Sequence, residues 1–406
     1  MIVQSVVVDD PGDLVSLLPA TAPLCWLHRG EGLIGWGEVI RFEPAGADRF
    51  GLAERWWAEV GAHCVVRDEV GLPGSGLVAF GSFAYADEPG PSVLVVPEVV
   101  VGRRGDVCWV TTISASAMTA ALRLPVTTPP APTGDAVFAD GAMSGAEWQL
   151  VVAEAVRRIR CGELDKVVLA RDMLAELPTP LDVRGPLGRL ARKYPSCWTF
   201  QVEGLFGATP EMLVRLERGL VTSRVLAGTI RRTGDDAHDL ALAATLARSS
   251  KDLEEHEFAV RSVADSLASW CSSMNVPESP FVLHLPNVMH LATDVTGILD
   301  SAKRITSLGL AAALHPSAAV GGTPAGKALA LITEIEQMDR GRYAGPVGWL
   351  DAAGDGEWGI ALRCAEYDGS RVRLFAGCGI VADSDPAAEL AEAAAKFVPI
   401  RQTLTG

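Results

Sequence analysis

Short apolar runs separated by Gly, Pro and Asp dominate the first 124 residues of the chain. Leu33 to Phe42 and Gly76 to Ala84, rich in Gly, Phe, Val and Ile, read as strands, and Leu94 to Val101 with Val107 to Ile113 reads as a strand pair around Gly102-Arg103-Arg104-Gly105. One helix is expected near Leu52 to Val60, carrying Trp56 and Trp57. The Pro- and Thr-rich stretch Pro125 to Gly134 interrupts this pattern as a linker or surface loop. From Ser144 helices begin to alternate with strands. Ser144 and Glu147 form a capping box for a helix reaching Arg160, and the strand KVVLAR (Lys166 to Arg171) follows. A helix over Asp182 to Lys193, a strand over Trp198 to Val202 and a long helix from Asp239 to about Ser273, broken near Ser249-Ser250, come next. Two strands, Gly359 to Tyr367 and Val372 to Val381, flank the hairpin signal Asp368-Gly369. A last helix has Asp385 as its cap and Pro386 at its first position. Strands paired mostly as hairpins, with helices around them, predict an α+β fold rather than a parallel doubly wound one.

Composition narrows the function. Of 406 residues, 49% are hydrophobic, enough for a sizeable core, and the net charge is −15. That balance argues against a nucleic-acid surface and against an anionic membrane surface, both of which need clustered Lys and Arg. An anionic substrate would have to be held by local cations or a metal. The eight cysteines form no C-x-x-C pair, which fits free thiols in a reducing compartment. Without a basic, apolar leader or a run of about 20 apolar residues, the chain reads as soluble and cytoplasmic.

The chemistry-bearing residues are scattered. After the glycine-containing AGCGIV segment (Ala376 to Val381), Glu389, Glu392 and Lys396 recur at i, i+3 and i+7 on one helical face. Two carboxylates beside a cation could hold a metal and a small anion, or could be a solvated face. Lys166, opening an apolar strand, is either a solvated edge residue or a partly buried amine; burial disfavours the charged form, and a neutral amine is a general base. Glu211, in GATPE before an apolar run, is either a simple cap or a carboxyl whose pKa burial raises, able to donate a proton. Glu255, in KDLEEH, lies off the apolar strip of its helix and could join Glu392 as an oxygen ligand for Mg²⁺. Strand alternation puts Arg363 on one face with Ala361 and Ala365, leaving room for a carboxylate clamp, or merely for an exposed arginine. Two decoys fail. GGTPAGKA (Gly321 to Ala328) ends in Ala328 where a phosphate-binding loop needs a hydroxyl, and His256-Glu257 has Val260 where a zinc site needs a second histidine.

In this order these segments resemble the chorismate-utilising enzymes, and within them the isochorismate synthases. Nine strings carry the likeness between about Ser144 and Pro399: KVVLAR, GATPE, LAGT, KDLEEH, MHLAT, LHPSAAVGGTP, DRGRYAGPVGW, ALRCA and AGCGIV with its trailing acids and lysine. The resemblance implies a single domain over 1–406 with two large, mostly antiparallel sheets packed face to face and helices outside. A strand-rich part (1–137) would then share that domain with a catalytic part (144–400). It further implies Lys166 as the base that activates water at C2 of chorismate and Glu211 as the acid that protonates the departing C4 hydroxyl. Glu255, Glu392 and Glu389 would hold Mg²⁺. Gly228, Thr229, His290, Ala319, Tyr343, Arg363, Gly377, Gly379 and Lys396 would line the substrate site.

Finer features separate the subfamilies. Anthranilate synthases carry an amide where this chain has Lys166, because their nucleophile is ammonia. Aminodeoxychorismate synthases carry a lysine where it has Ala227. Salicylate synthases keep the base and eliminate pyruvate, with Thr near Ala319. Lys166, Ala227 and Ala319-Val320 favour the isochorismate synthases, with salicylate synthase as the alternative. The expected partner is chorismate alone, bound by a monomer without a glutaminase subunit, and the product could feed menaquinone or siderophore biosynthesis.

Overall fold

A computed structural model describes residues 1–88, 90, 92–115 and 128–405, apart from the side chains of residues 251 and 255. Among the described residues the strands form a 13-stranded and a 10-stranded sheet. One strand pair, Ile2–Val8 with Val65–Asp68, is parallel, and the other pairs are antiparallel. The α+β expectation holds. Strands of the N-terminal part enter both sheets: Leu24–His28 pairs with Trp198–Val202, and Val78–Ser82 pairs with Pro346–Asp351.

Side-chain alternation builds the layers. On Leu24–His28, Leu24 and Trp26 enter one core with Phe80, Phe200, Trp349 and Trp358, residues of both sheets. Cys25 and Leu27 enter a second core with Trp148, Leu187, Leu331 and Phe397, which are helical. The same split recurs at Phe375 against Leu374 and Ala376. A two-residue period in which both faces are apolar means that each face is covered, here by the other sheet and by helices. Burying such large aromatics contributes about 2 to 3 kcal/mol each relative to exposure.

Most elements lie where the pattern placed them. The capping box of Ser144 with Glu147 forms on Gly145–Arg160. The broken helix resolves into Asp236–Leu246 and Ser250–Ala268, with Ser249 capping the second. Asp385 caps Pro386–Leu404 by accepting from Ala387 N and Ala388 N. The start of the Pro- and Thr-rich stretch, through Thr127, lies outside the described residues.

Three expected strands are in fact two strands each, belonging to different sheets. Leu33 to Phe42 divides into Glu31–Trp36 and Ile40–Phe42, Leu94 to Val101 into Val93–Val96 and Val99–Arg104, and Gly359 to Tyr367 into Gly356–Ile360 and Cys364–Asp368. The chain corners from sheet to sheet at each split. Each corner is only two or three residues long (Gly37 to Val39, Pro97-Glu98 and Ala361 to Arg363), too short an interruption for periodicity to separate two strands.

Candidate active site

Two such corners lie side by side. Leu205–Thr209 pairs with Cys364–Asp368 in the larger sheet, and Met212–Glu217 pairs with Gly356–Ile360 in the smaller one. Pro210-Glu211 joins the first members of these pairs, and Ala361 to Arg363 joins the second. Glu211 and Arg363 therefore arrive together from residues 152 positions apart in sequence, at the opening between the sheets. The strand-face reading of Arg363 is corrected here: it stands in the corner with φ +48°, a left-handed conformation uncommon for a side-chain-bearing residue. Gly207 accommodates this corner, since a Cβ there would lie 2.7 Å from the Arg363 carbonyl.

Where Cys364–Asp368 ends, its neighbour Arg371–Ile380 continues, paired on its other side with Lys166–Glu176. Val168 and Ala170 direct their backbone N–H groups away from that neighbour, to Gly321 O (2.8 Å) and Glu336 Oε2 (2.9 Å). Their partners Gly379 and Gly377 therefore point their own backbone groups to the opposite side, into the gap left by the corner. Glycine suits this position: a Cβ on Gly377 would sit 2.9 Å from the Tyr343 hydroxyl.

The gap is a cavity of about 200 Å³. Lys166, Glu211, Gly228, Thr229, His290, Ala319, Tyr343, Arg363, Gly377, Gly379, Glu389, Glu392 and Lys396 all line it. Glu255 belongs to the Ser250–Ala268 helix, but its side chain lies outside the described residues. Asp252, Arg340 and Phe375 also line the cavity and were not singled out from the sequence. DRGRYAGPVGW offers two arginines, Arg340 and Arg342, and nothing local marks which of them lines the cavity.

Electrostatics divide the groups by role. Burial pushes the Glu211 carboxyl up to about 8, with Lys166, the Leu226 N–H, Arg363 and Lys396 pulling the other way. Glu211 is thus protonated at neutral pH and able to donate. His290 is held well below its ordinary value by burial, then by Arg363 and Lys396. Its Nε2 accepts from Arg363 Nη2 (3.1 Å), which leaves the proton on Nδ1, facing Gly228 O (3.3 Å) and Thr229 Oγ1 (3.1 Å). Burial works against the Lys396 charge, but the Cys378 sulfur and the Glu392 carboxylate outweigh it and hold the ammonium above the ordinary lysine value. Lys396 donates to Gly377 O (2.8 Å) and pairs with Glu392 at 2.7 Å.

Donor atoms of Glu389, Glu392 and Cys378 lie within 4.8 Å of one another. Two carboxylates on adjacent turns suit a hard divalent cation that keeps several waters. Burial keeps the Cys378 thiol protonated, so it adds no ligand of the kind such a cation prefers. Ser384 Oγ donates to one Glu389 oxygen at 2.7 Å.

A corner-built cavity with one protonated carboxyl, lysines, an arginine and a carboxylate pair is specific enough to compare with known proteins. The family described as "Chorismate binding enzyme" matches residues 26–405. The chain belongs to the chorismate-binding enzymes. It is 32% identical over 408 residues to the salicylate biosynthesis isochorismate synthase of Pseudomonas aeruginosa, an alignment covering 95% of this chain and 85% of that protein. Isochorismate synthase MenF of Bacillus subtilis is 36% identical over 264 residues, 64% of this chain and 56% of MenF, so this chorismate-binding enzyme aligns with little more than half of that relative's length. The solved structure of MenF, the menaquinone-specific isochorismate synthase from Escherichia coli, superposes with a TM-score of 0.81 at 26% identity, covering 99% of this chain and 94% of that one. The two-sheet architecture is that of this family. No described helix is long and apolar enough to cross a membrane.

Proposed function

We propose that this chorismate-binding enzyme is an isochorismate synthase, an isomerase that exchanges the C4 hydroxyl of chorismate for a hydroxyl at C2. The observation that supports the reading is one cavity lined by Lys166, a protonated Glu211, Arg363, Lys396 and the Glu389–Glu392 pair. Similarity along nearly the whole chain to a protein named for isochorismate synthesis supports it.

Lys166 takes a proton from a water molecule placed at C2, and the oxygen bonds to that carbon. The ring double bonds shift, and the C4–O bond breaks as Glu211 gives its proton to the departing hydroxyl. One water enters and one leaves, so no redox partner is needed. Arg363, the Tyr343 hydroxyl and the backbone N–H groups of Gly377 and Gly379 would hold the enolpyruvyl carboxylate. Neutral His290 would face the C2 side, held by Arg363 and by the bulge at Gly228-Thr229 in the strand Leu220–Arg231. Lys396 would meet the ring carboxylate. Mg²⁺ held by Glu392 and Glu389, with Glu255, would neutralise that carboxylate and fix the ring. We read the enzyme as acting as a monomer in the cytoplasm, as one unit over both parts of the chain, and without a glutaminase subunit, because Lys166 stands where an ammonia-using relative would carry an amide.

The test is product analysis. Purified protein given chorismate and Mg²⁺ should yield isochorismate without pyruvate when the mixture is resolved by chromatography. Stoichiometric pyruvate with salicylate would replace this reading by a lyase, and unchanged chorismate would overturn it.

A further inference from the structure

Arg340 lines the cavity but has little to spare for a substrate. Its Nε and Nη2 bond both oxygens of Glu336 (2.7 and 2.6 Å), Nη2 also bonds Val168 O (2.8 Å), and Nη1 bonds Val320 O (2.9 Å). Four of its five N–H bonds are thereby committed within the protein. Glu336 in turn accepts from Ala170 N at 2.9 Å. The guanidinium lies 4.3 Å from the centroid of the Tyr85 ring, and the Tyr85 hydroxyl donates to the same Val320 carbonyl (3.1 Å). Arg340, Glu336 and Tyr85 are all buried.

This network joins two walls of the cavity. One is the strand that starts at Lys166 and contains Val168 and Ala170. The other is the loop that presents Ala319 and Val320. Tyr85 comes from the strand-rich N-terminal part of the chain, 235 positions before Val320 in sequence.

We infer that Arg340, Glu336 and Tyr85 are positioning residues, which set the separation between Lys166 and the Ala319-Val320 wall and so fix where the chorismate ring rests against its base. The inference rests on the proposed substrate, and it assigns the N-terminal part a direct role in shaping the site. None of the hydrogen bonds just named involves the Pro386–Leu404 helix or its carboxylates, so loss of the network should disturb the substrate and not the metal.

Two conservative variants test it. Tyr85→Phe keeps the ring over Arg340 and removes one donor to Val320. Arg340→Lys keeps a charge for Glu336 and loses the fork that spans both walls. Tyr85→Phe should raise the KM for chorismate about 3- to 10-fold, as expected for one lost hydrogen bond, and Arg340→Lys by about 10-fold or more. In both, the Mg²⁺ concentration for half activity should match the parent enzyme. The same ordering should appear in the Kd for chorismate measured in a Lys166→Ala background. That measurement needs no turnover, so a failure of the isochorismate reading stays distinguishable from a failure of this one. Unchanged KM and Kd in folded Tyr85→Phe would overturn the inference whether or not Arg340→Lys folds. So would an equal rise in the Mg²⁺ requirement, which would indicate general loosening.

Discussion

Glu211 sits in an environment that its residue type alone would not suggest. Burial at the corner between sheets moves it from 4.5 to about 8. In the proposed mechanism turnover needs its proton, so activity should fall as pH rises through about 8, and Glu211→Gln should lose about 100-fold or more in kcat together with that alkaline limb. A variant with the parent's alkaline profile would point to another acid. Stability is linked to the same group. Its folded pKa lies above its unfolded one, so the fold binds more protons between 4.5 and about 8. Its contribution is fully present below 4.5 and is lost as pH rises through about 8. The unfolding midpoint of Glu211→Gln should therefore decline less over that window than the parent's. Lys166→Ala should lower turnover by about 100-fold or more while Mg²⁺-dependent chorismate binding persists, as calorimetry can show; undiminished activity would remove Lys166 as the base.

At the scale of elements, the C-terminal helix carries Glu389, Glu392 and Lys396 on its first turns, behind the Asp385 cap. Asp385→Ala should cost about 1 kcal/mol of stability and fray those turns. The Mg²⁺ concentration for half activity should rise with it, whereas an unchanged Mg²⁺ curve would separate the cap from the metal residues. This helix was legible in the sequence, because cap, first-turn Pro and i, i+3, i+7 spacing all declare themselves locally. The Ser144 capping box and the break at Ser249 were legible for the same reason. The sheet-to-sheet corners were not, since each interrupts the strands for only two or three residues, as Ala361 to Arg363 does between Ile360 and Cys364. Arg363 consequently reads from the sequence as a strand-face residue, and only the fold puts it in a corner. For Arg340 the i, i+4 spacing from Glu336 reads as an ordinary helix-face pair, and what ties it and Tyr85 to the site, the backbone carbonyls of Val168 and Val320, lies far away in sequence where no local pattern shows it.

For the whole molecule the governing contrast is a net charge of −15 around a cavity built from Lys166, Arg363 and Lys396. The overall field repels a dianion, while the buried cations attract it over short distances where salt screens little. Added NaCl between low and physiological ionic strength should leave kcat/KM for chorismate level or raise it; a steep fall would mean that capture depends on exposed cations outside the cavity. The central claim remains that solvent water supplies the new hydroxyl while the old one departs. Reaction in water enriched in oxygen-18 tests it most directly. Mass spectrometry should find the heavy isotope in the isochorismate ring hydroxyl at C2, and unlabelled product would contradict water attack and the paired roles of Lys166 and Glu211.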